Sequence, residues 1–426
     1  MPDPSDTPRE RRRDEPDPTA VGFVLELGRA LHSAGHSAQR LEDSLGAISD
    51  RLELVNPQFF STPTSIMASF GPIGRQRTHM LRVAPGEVNL GTLAALEQLS
   101  LDVAQGRMSP AEGVVAINRI TSAPAPYGPA LTTLAYGVVS GAATQFLGGG
   151  RREVAVAAVL GLGLGVLALC TRGRPRLGRV FEPVAAFFVS AGAIGLAQAA
   201  APVSVLVATL GGLIVLLPGL TLTVAMSELA TRNLASGTAR ISGAFMTFLA
   251  IGFGVALGNR IGGALFGGVL PAAASAPLPE WSPYVAMVAA GLGFVVVLRA
   301  EPRDAFWIVA IGALGVIGGR AGAATLGVEL GTFAGALSVG VASSVYERLT
   351  HRPAAVVSVP GILLLVPGSV GFRGLTSLID RQAVAGIETI FSMILTAVAL
   401  VAGLLVAAVV VPETRMSQTW TRRYTR

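Results

Sequence analysis

The stretch Gly212-Leu-Ile-Val-Leu-Leu-Pro218-Gly219 recurs as Gly361-Ile-Leu-Leu-Leu-Val-Pro367-Gly368, each copy inside a long apolar run. The two prolines are 149 residues apart, and the register also holds upstream. Arg152-Glu153 matches Arg303-Asp304 and Pro202 matches Pro353, both at an offset of 151. Proline donates no backbone hydrogen bond, and its ring clashes with the carbonyl four residues earlier, so each copy interrupts a helix. In lipid the freed carbonyl needs another partner, so each break is expected to face protein or a water-filled cavity. Matched interrupted helices in two halves of one chain are the sequence mark of a secondary transporter.

Composition places the rest of the chain in the same class. Hydrophobic residues make up 51% and charged residues 14%, well under the roughly 25% of soluble domains. Mean hydropathy is +0.60. The net charge of +6 is carried by arginine alone, at loop ends and in the tails. That is the ordinary topology signal of a membrane protein, and no basic face with aromatic stacking points to nucleic acid. A single cysteine, Cys170, allows no intramolecular disulfide.

Residues 1–18 are charged and proline-rich and read as a disordered tail. Residues 19–123 read as a small soluble α/β domain. Val21 to Leu31 form one helix stopped at Gly35, and a second helix starts at Ser37 with Leu41, Leu45, Ile48 and Leu52 on one face. Three β-like runs follow at Phe59-Phe60, Ser65–Phe70 and Thr78–Val83. Helices near 89–105 and 110–121 close the domain, the last with a capping box of Ser109, Pro110 and Glu112. His32 and His36 have i, i+4 spacing, but Gly35 lies between them, and the expectation is two solvated imidazoles at a helix end.

From Tyr127 the chain is ten apolar runs, about 129–148, 153–171, 181–200, 203–225, 241–262, 283–299, 305–323, 327–346, 353–373 and 385–411. Each is near the ~20 residues that cross a bilayer. The fold expected is therefore an α-helical polytopic membrane protein of ten transmembrane helices. Repeats at 128–262 and 283–412 hold five spans each, and an odd number per copy inverts the second relative to the first. With the N-terminus cytoplasmic, fourteen arginines fall in inside loops and tail and six outside, so both termini are placed in the cytoplasm.

The breaks are the candidate substrate site. Pro218, Gly219, Thr221 and Thr223 in the first copy and Pro367, Gly368 and Ser369 in the second supply free carbonyls, N–H groups and hydroxyls. With Gln198 nearby, such groups suit an ammonium and a carboxylate together, as in an amino acid. Glu228, about ten residues beyond the first break, is the first candidate for proton coupling, and Glu182 at a span end is the second. The spacings Gly137/Gly141 and Gly258/Gly262 read as helix packing. No phosphate-cradling loop is present, so transport runs on a gradient, with no cofactor and no metal site expected.

The chain resembles the threonine/serine exporter family over roughly residues 20–412. The likeness rests on Leu31, Gly35, Ser37, Arg40 and Glu42 in LHSAGHSAQRLE, and on the Thr62-Pro63-Thr64-Ser65-Ile66 segment. In the membrane it rests on Leu217-Pro218-Gly219 with Thr221, and on Val366-Pro367-Gly368. The resemblance implies a cytosolic N-terminal domain before ten spans in two related halves, and proton-driven export of threonine and serine across the cell membrane. Some relatives are linked to dicarboxylate export, which is the alternative substrate class. A membrane-anchored hydrolase built on Arg40, Glu42 and Thr64, and a passive channel, are the readings from other classes. The expected partners are a small-molecule substrate, protons and lipid, with a homo-oligomer among the expected assemblies.

Thiol labelling tests the orientation. A cysteine introduced near Ser275 should react with an impermeant reagent added to whole cells, and one near Gly173 should not. The opposite pattern reverses the topology.

Overall fold

The computed structural model describes residues 17–200, 203–267, 278–365, 368–379 and 381–411. The expected tail falls almost wholly on residues 1–16, outside the described residues, as do Pro367, residues 268–277 of the expected linker, and the segment after 411.

The N-terminal unit forms as its periodicity predicts. Helix α1 (Pro18–Ser33) opens with Asp17, whose carboxylate accepts the Thr19 N–H at 2.9 Å. The chain turns at Gly35, φ +100°, where an added Cβ would also lie 2.9 Å from Val88. Helix α2 (Ala38–Arg51) leads to an antiparallel meander of β1 (Gln58–Thr62), β2 (Ser65–Phe70) and β3 (Arg77–Arg82), in the order β1-β2-β3. On β2 every second residue, Ile66, Ala68 and Phe70, is buried, as a strand with one face on a core requires. Helices α3 (Leu90–Ala104) and α4 (Pro110–Thr121) complete the unit. Both halves of the capping box on α4 are present, with Ser109 N–H on Glu112 Oε2 at 2.9 Å and Glu112 N–H on Ser109 Oγ at 3.3 Å. Phe23, Leu27, Leu31, Leu41, Leu45, Phe70 and Leu96 fill the core.

The remainder is helical. The elements are α5 (Pro129–Phe146), α6 (Arg151–Thr171), α7 (Phe181–Ala200), α8 (Val205–Leu213), α9 (Gly219–Ala230) and α10 (Leu234–Phe266). After residue 278 come α11 (Ser282–Val297), α12 (Ala305–Leu326), α13 (Val328–Thr350), α14 (Ala355–Leu363), α15 (Gly368–Ile379) and α16 (Ala383–Val410). Among the described residues seven stretches are long and apolar enough to cross a membrane. The three other apolar runs fall short of that for local reasons, two in helix length and α5 in apolarity. The run 203–225 is cut between α8 and α9 at Pro218, 283–299 yields the 16-residue α11, and α5 has 18 residues.

Packing partners recur in the two sets. Helix α6 packs on α5 and α8, α7 on α8 and α10, and α9 on α10; likewise α12 packs on α11 and α14, α13 on α14 and α16, and α15 on α16. Helices α5 and α11 join the sets. Small residues let backbones approach. An added Cβ at Gly254 or Gly258 of α10 would sit 2.3 Å from Pro183 O or 2.7 Å from Phe187 O of α7. One at Gly137 of α5 would lie 3.0 Å from Ala158 O of α6. Those glycines are packing residues.

A buried acid pins each broken element to its neighbour. Glu153 Oε1 accepts the Ser204 N–H before α8 at 3.0 Å, and its Oε2 accepts Gly150 N–H at 2.9 Å. Asp304, at the matched position, accepts the Tyr346 hydroxyl at 2.8 Å and the Arg352 guanidinium before α14 at 2.8 Å. The two acids are 3% and 2% exposed. Replacing Asp304 with Ala leaves Arg352 and Tyr346 without this partner, and should cost about 3 kcal/mol. The measurement is a thermal-shift assay of the detergent-solubilised protein; an unchanged midpoint removes Asp304 from the role of clamp.

Candidate functional site

Helix α8 ends at Leu213, and the chain turns through Leu216 N–H on Leu213 O at 2.8 Å and Gly219 N–H on Leu217 O at 2.8 Å. Pro218, with φ −77° and ψ 40°, caps α9, whose first helical bond runs from Leu222 N–H to Pro218 O at 3.0 Å. Pro218 has no N–H to give the Ile214 carbonyl four residues earlier, so α8 cannot continue. In the second set α14 ends at Leu363 and α15 starts at Gly368.

The two breaks meet. A Cβ added at Gly368 would lie 3.3 Å from Gly219 Cα, 3.5 Å from Gly219 N and 3.6 Å from Leu217 Cβ. The N-termini of α9 and α15 therefore converge, and each brings backbone N–H groups without intrahelical acceptors and the positive end of a helix dipole. Thr221 and Ser369 lie half-buried in the first turns of these helices. Thr223 is buried, and its hydroxyl donates to Gly219 O at 3.1 Å. Gln198 is an exposed position near the end of α7, and Glu182 is half-buried in the first turn of the same helix. Phe372, fully buried on α15, packs in one cluster with Leu217 and Phe248, and the Arg373 guanidinium donates to Leu147 O at 3.3 Å. Two cavities lie away from the breaks. One, about 470 Å³, is an apolar cleft between α5, α6 and α11; the other, about 30 Å³, lies among Glu87, Tyr136, Arg172 and Arg299.

Glu228 lies in the last turn of α9 and is 1% exposed. Arg240 of α10 holds it two-fold, with Nε at 2.9 Å from Oε1 and 3.0 Å from Oε2. The same Oε1 accepts the Ala38 N–H, the first residue of α2, at 2.9 Å. Ser37 makes no side-chain cap on α2, and the carboxylate 190 residues away caps it instead.

The surrounding residues come from the same segment of α1 and α2. The His32 imidazole lies with Nε2 3.0 Å from Pro63 O, and His36 Nε2 is 3.2 Å from Glu97 Oε1 of α3. Both imidazoles are buried, at 4% and 3% exposure, which corrects the expectation of solvated rings: each fastens a loop or helix of the N-terminal unit. Burial holds His32 below its usual value. Glu42 Oε1 accepts the Ser61 N–H of β1 at 2.7 Å. Burial pushes the Glu42 carboxyl up to about 7, opposed by the Ser61 bond and reinforced by Asp43 and Glu228.

Glu228 and Glu42 stand out in the sequence, whereas Arg240 gives no local sign that it pairs with Glu228. No local spacing reveals that pair as a binding point for α2. The clamps were visible only as the repeated Arg-acid pairs at an offset of 151.

A family model described as a threonine/serine exporter matches residues 22–262, and a second, "Threonine/Serine exporter, ThrE", matches residues 284–410. Relatives of the chain include three yeast proteins named "Pheromone-regulated membrane protein 10". That of Candida albicans is 28% identical over 367 residues, covering 82% of this chain and 33% of the relative. That of Kluyveromyces lactis is 28% identical over 363 residues (82% and 37%), and that of Candida glabrata 24% over 390 residues (86% and 49%). The chain thus spans between a third and a half of the length of these relatives. No solved structure matches the chain.

The approach of the breaks sets a steric test. Gly368→Leu directs a side chain at the Gly219 backbone and should abolish transport while leaving expression and the monodisperse elution of the protein unchanged. Parental transport by this variant would show that the close contact is dispensable.

Proposed function

The chain belongs to the threonine/serine exporter family, and from that premise we propose that it exports threonine and serine by alternating access, driven by the proton gradient. The family is one of membrane transporters rather than enzymes, so the hydrolase reading falls. In the proposed arrangement residues 19–123 are a cytosolic domain. Residues 128–262 and 283–412 are two inverted five-span repeats in the cell membrane, and both termini are cytoplasmic. The recurrence of packing partners and of the Glu153 and Asp304 clamps supports the repeat.

The observation that carries the reading is the convergence of two half-helix N-termini at Gly219 and Gly368. Two positive helix ends provide for the substrate carboxylate, and the carbonyls closing α8 and α14 provide for its ammonium. Thr221, Thr223, Ser369 and, at greater distance, Gln198 supply hydroxyl and amide groups for the side chain. Pro218 creates the first break, and Pro367 is the proposed cause of the second. Glu228 is the proposed proton carrier because it ends the helix that starts at the first break, so its protonation state bears directly on that helix. Glu182 is the second candidate. The same two helix ends would receive two carboxylates, which is why dicarboxylates stand as the alternative substrates.

Counterflow into proteoliposomes, with threonine, serine and succinate in parallel, tests the substrate class; uptake of succinate alone selects the alternative. Thr221→Val should weaken threonine binding by about 1–3 kcal/mol, the value of a lost buried hydrogen bond. Glu228→Gln should stop gradient-driven export yet leave exchange measurable, since exchange moves no net proton. Parental export by the Gln variant under a proton gradient would remove Glu228 from coupling.

A further inference from the structure

The N-terminal unit grips both sets of helices at one end of the bundle. On the first set the grip is the carboxylate of Glu228, held by Arg240 and by Ala38 N–H. On the second set, Leu90 and Gly91 N–H at the start of α3 donate to Leu298 O and Arg299 O at 3.0 and 3.1 Å. Glu87 pairs there with Arg299 at 2.7 Å, and Ala355, the first residue of α14, is buried in the core of the N-terminal unit. Glu228 ends the broken element of the first set and Ala355 begins that of the second. Any motion that parts the sets at this end must first undo one grip. The second grip combines two backbone bonds, an ion pair and apolar burial; at the first, the hydrogen bonds converge on one carboxylate, beside β1 packed on α10.

We propose that the N-terminal unit is a gate, fastened to the second set of helices and latched to the first through Ala38, Glu228 and Arg240, with the ionisation of Glu42 releasing the latch. The gate rests on the alternating-access reading above. The titratable and charged groups that meet here are Glu42 and Asp43 of α2, His32 and His36 at the end of α1, Glu228 of α9 and Arg240 of α10, beside the Ser61 N–H of β1. Ionised Glu42, one turn beyond Ala38 on α2, places a second negative charge near Glu228. Burial first, then Asp43 and Glu228, favours neutral Glu42, whose carboxyl is raised to about 7. An acid raised in one state stabilises that state at low pH and loses the contribution as pH climbs from the ordinary carboxylate range through the raised value. While Glu228 stays ionised, the latch is therefore tighter in acid and weakens toward neutral pH. His32, held below its usual value by burial, acts in the opposite sense at the acid end.

Spin labels at Arg51→Cys on α2 and Thr238→Cys on α10, both exposed positions, in a Cys170→Ser background read the latch in the full-length protein in nanodiscs. Between about pH 5.5 and about pH 8 the ratio of long to short inter-label distances should rise at least about tenfold. Glu42→Gln, which keeps an oxygen for the Ser61 N–H but cannot ionise, should hold the short distance at both values. Arg240→Gln should show the long distance at both. The same distribution at both pH values in the parent, a rise that persists in Glu42→Gln, or a short distance kept by Arg240→Gln at pH about 8 would each overturn the latch. The distances need no substrate. A distance change without counterflow would defeat the exporter reading and leave the latch standing, whereas counterflow without a distance change would do the reverse.

Discussion

The contact between the Gly219 and Gly368 backbones governs the layout of the helical part. Each glycine opens a twelve-residue half-helix, and a Cβ added at Gly368 would lie 3.3 Å from Gly219 Cα, so little room lies between them. In a hydrocarbon environment a helix can stop in mid-bundle only where its unpaired backbone groups find other partners. Here the breaks face each other across the bundle, so each half-helix N-terminus lies beside another N-terminus rather than beside lipid. Leu217 and Phe372, both buried, close the apolar side of that contact, and Thr223 returns its hydroxyl to Gly219 O. The result is a candidate site with paired positive backbone ends.

Holding the breaks opposite each other requires that the outer ends of the broken elements stay fixed. Glu153 and Asp304 meet that need by different chemistry. The first caps its own helix and binds the backbone before α8; the second binds a tyrosine hydroxyl and an arginine before α14. Buried acids of this kind add little net stability, because desolvation offsets most of what the partners return. What they fix is register: an acid with its partners satisfied tolerates no sliding of α8 along α6 or of α14 along α12. A transporter whose halves rock as bodies needs such internal stiffness, with the freedom confined to the contacts between bodies.

Local rules made most of the N-terminal unit legible. Periodicity located α1 to α4 and the three strands within two residues, apart from the start of α1, which lies three residues before Val21, and the Ser109–Glu112 box marked the start of α4 because both partners are three residues apart. The breaks were legible because proline acts on its own helix. The helix α10 was underestimated, since its start, Leu-Ala-Ser-Gly-Thr-Ala-Arg, is not apolar yet is helical, and the 241–262 run became Leu234–Phe266. What escaped the sequence depends on distant pairs. Ser37 marks the start of its helix in the sequence, but that helix is capped by Glu228. His32 and His36 look like surface residues until Pro63 and Glu97 fold over them.

The docking of the N-terminal unit follows one physical pattern at both of its grips. In each, the orphan N–H groups at the start of a helix, α2 in one case and α3 in the other, reach acceptors on the bundle. Unpaired inside lipid, such donors would be costly. At the end of the bundle, water replaces the lost acceptor, and the net value of each bond falls to about 1 kcal/mol. A contact of this type is specific in geometry yet reversible in energy. The carboxylate of Glu228 differs from the carbonyls of Leu298 and Arg299 in one respect: it can change charge. The first grip rests on that carboxylate, on the helix that begins at the break, whereas the second sets the Glu87–Arg299 ion pair beside its two carbonyls. Chemistry at the mouth and geometry at the site are thus joined by the three turns of α9.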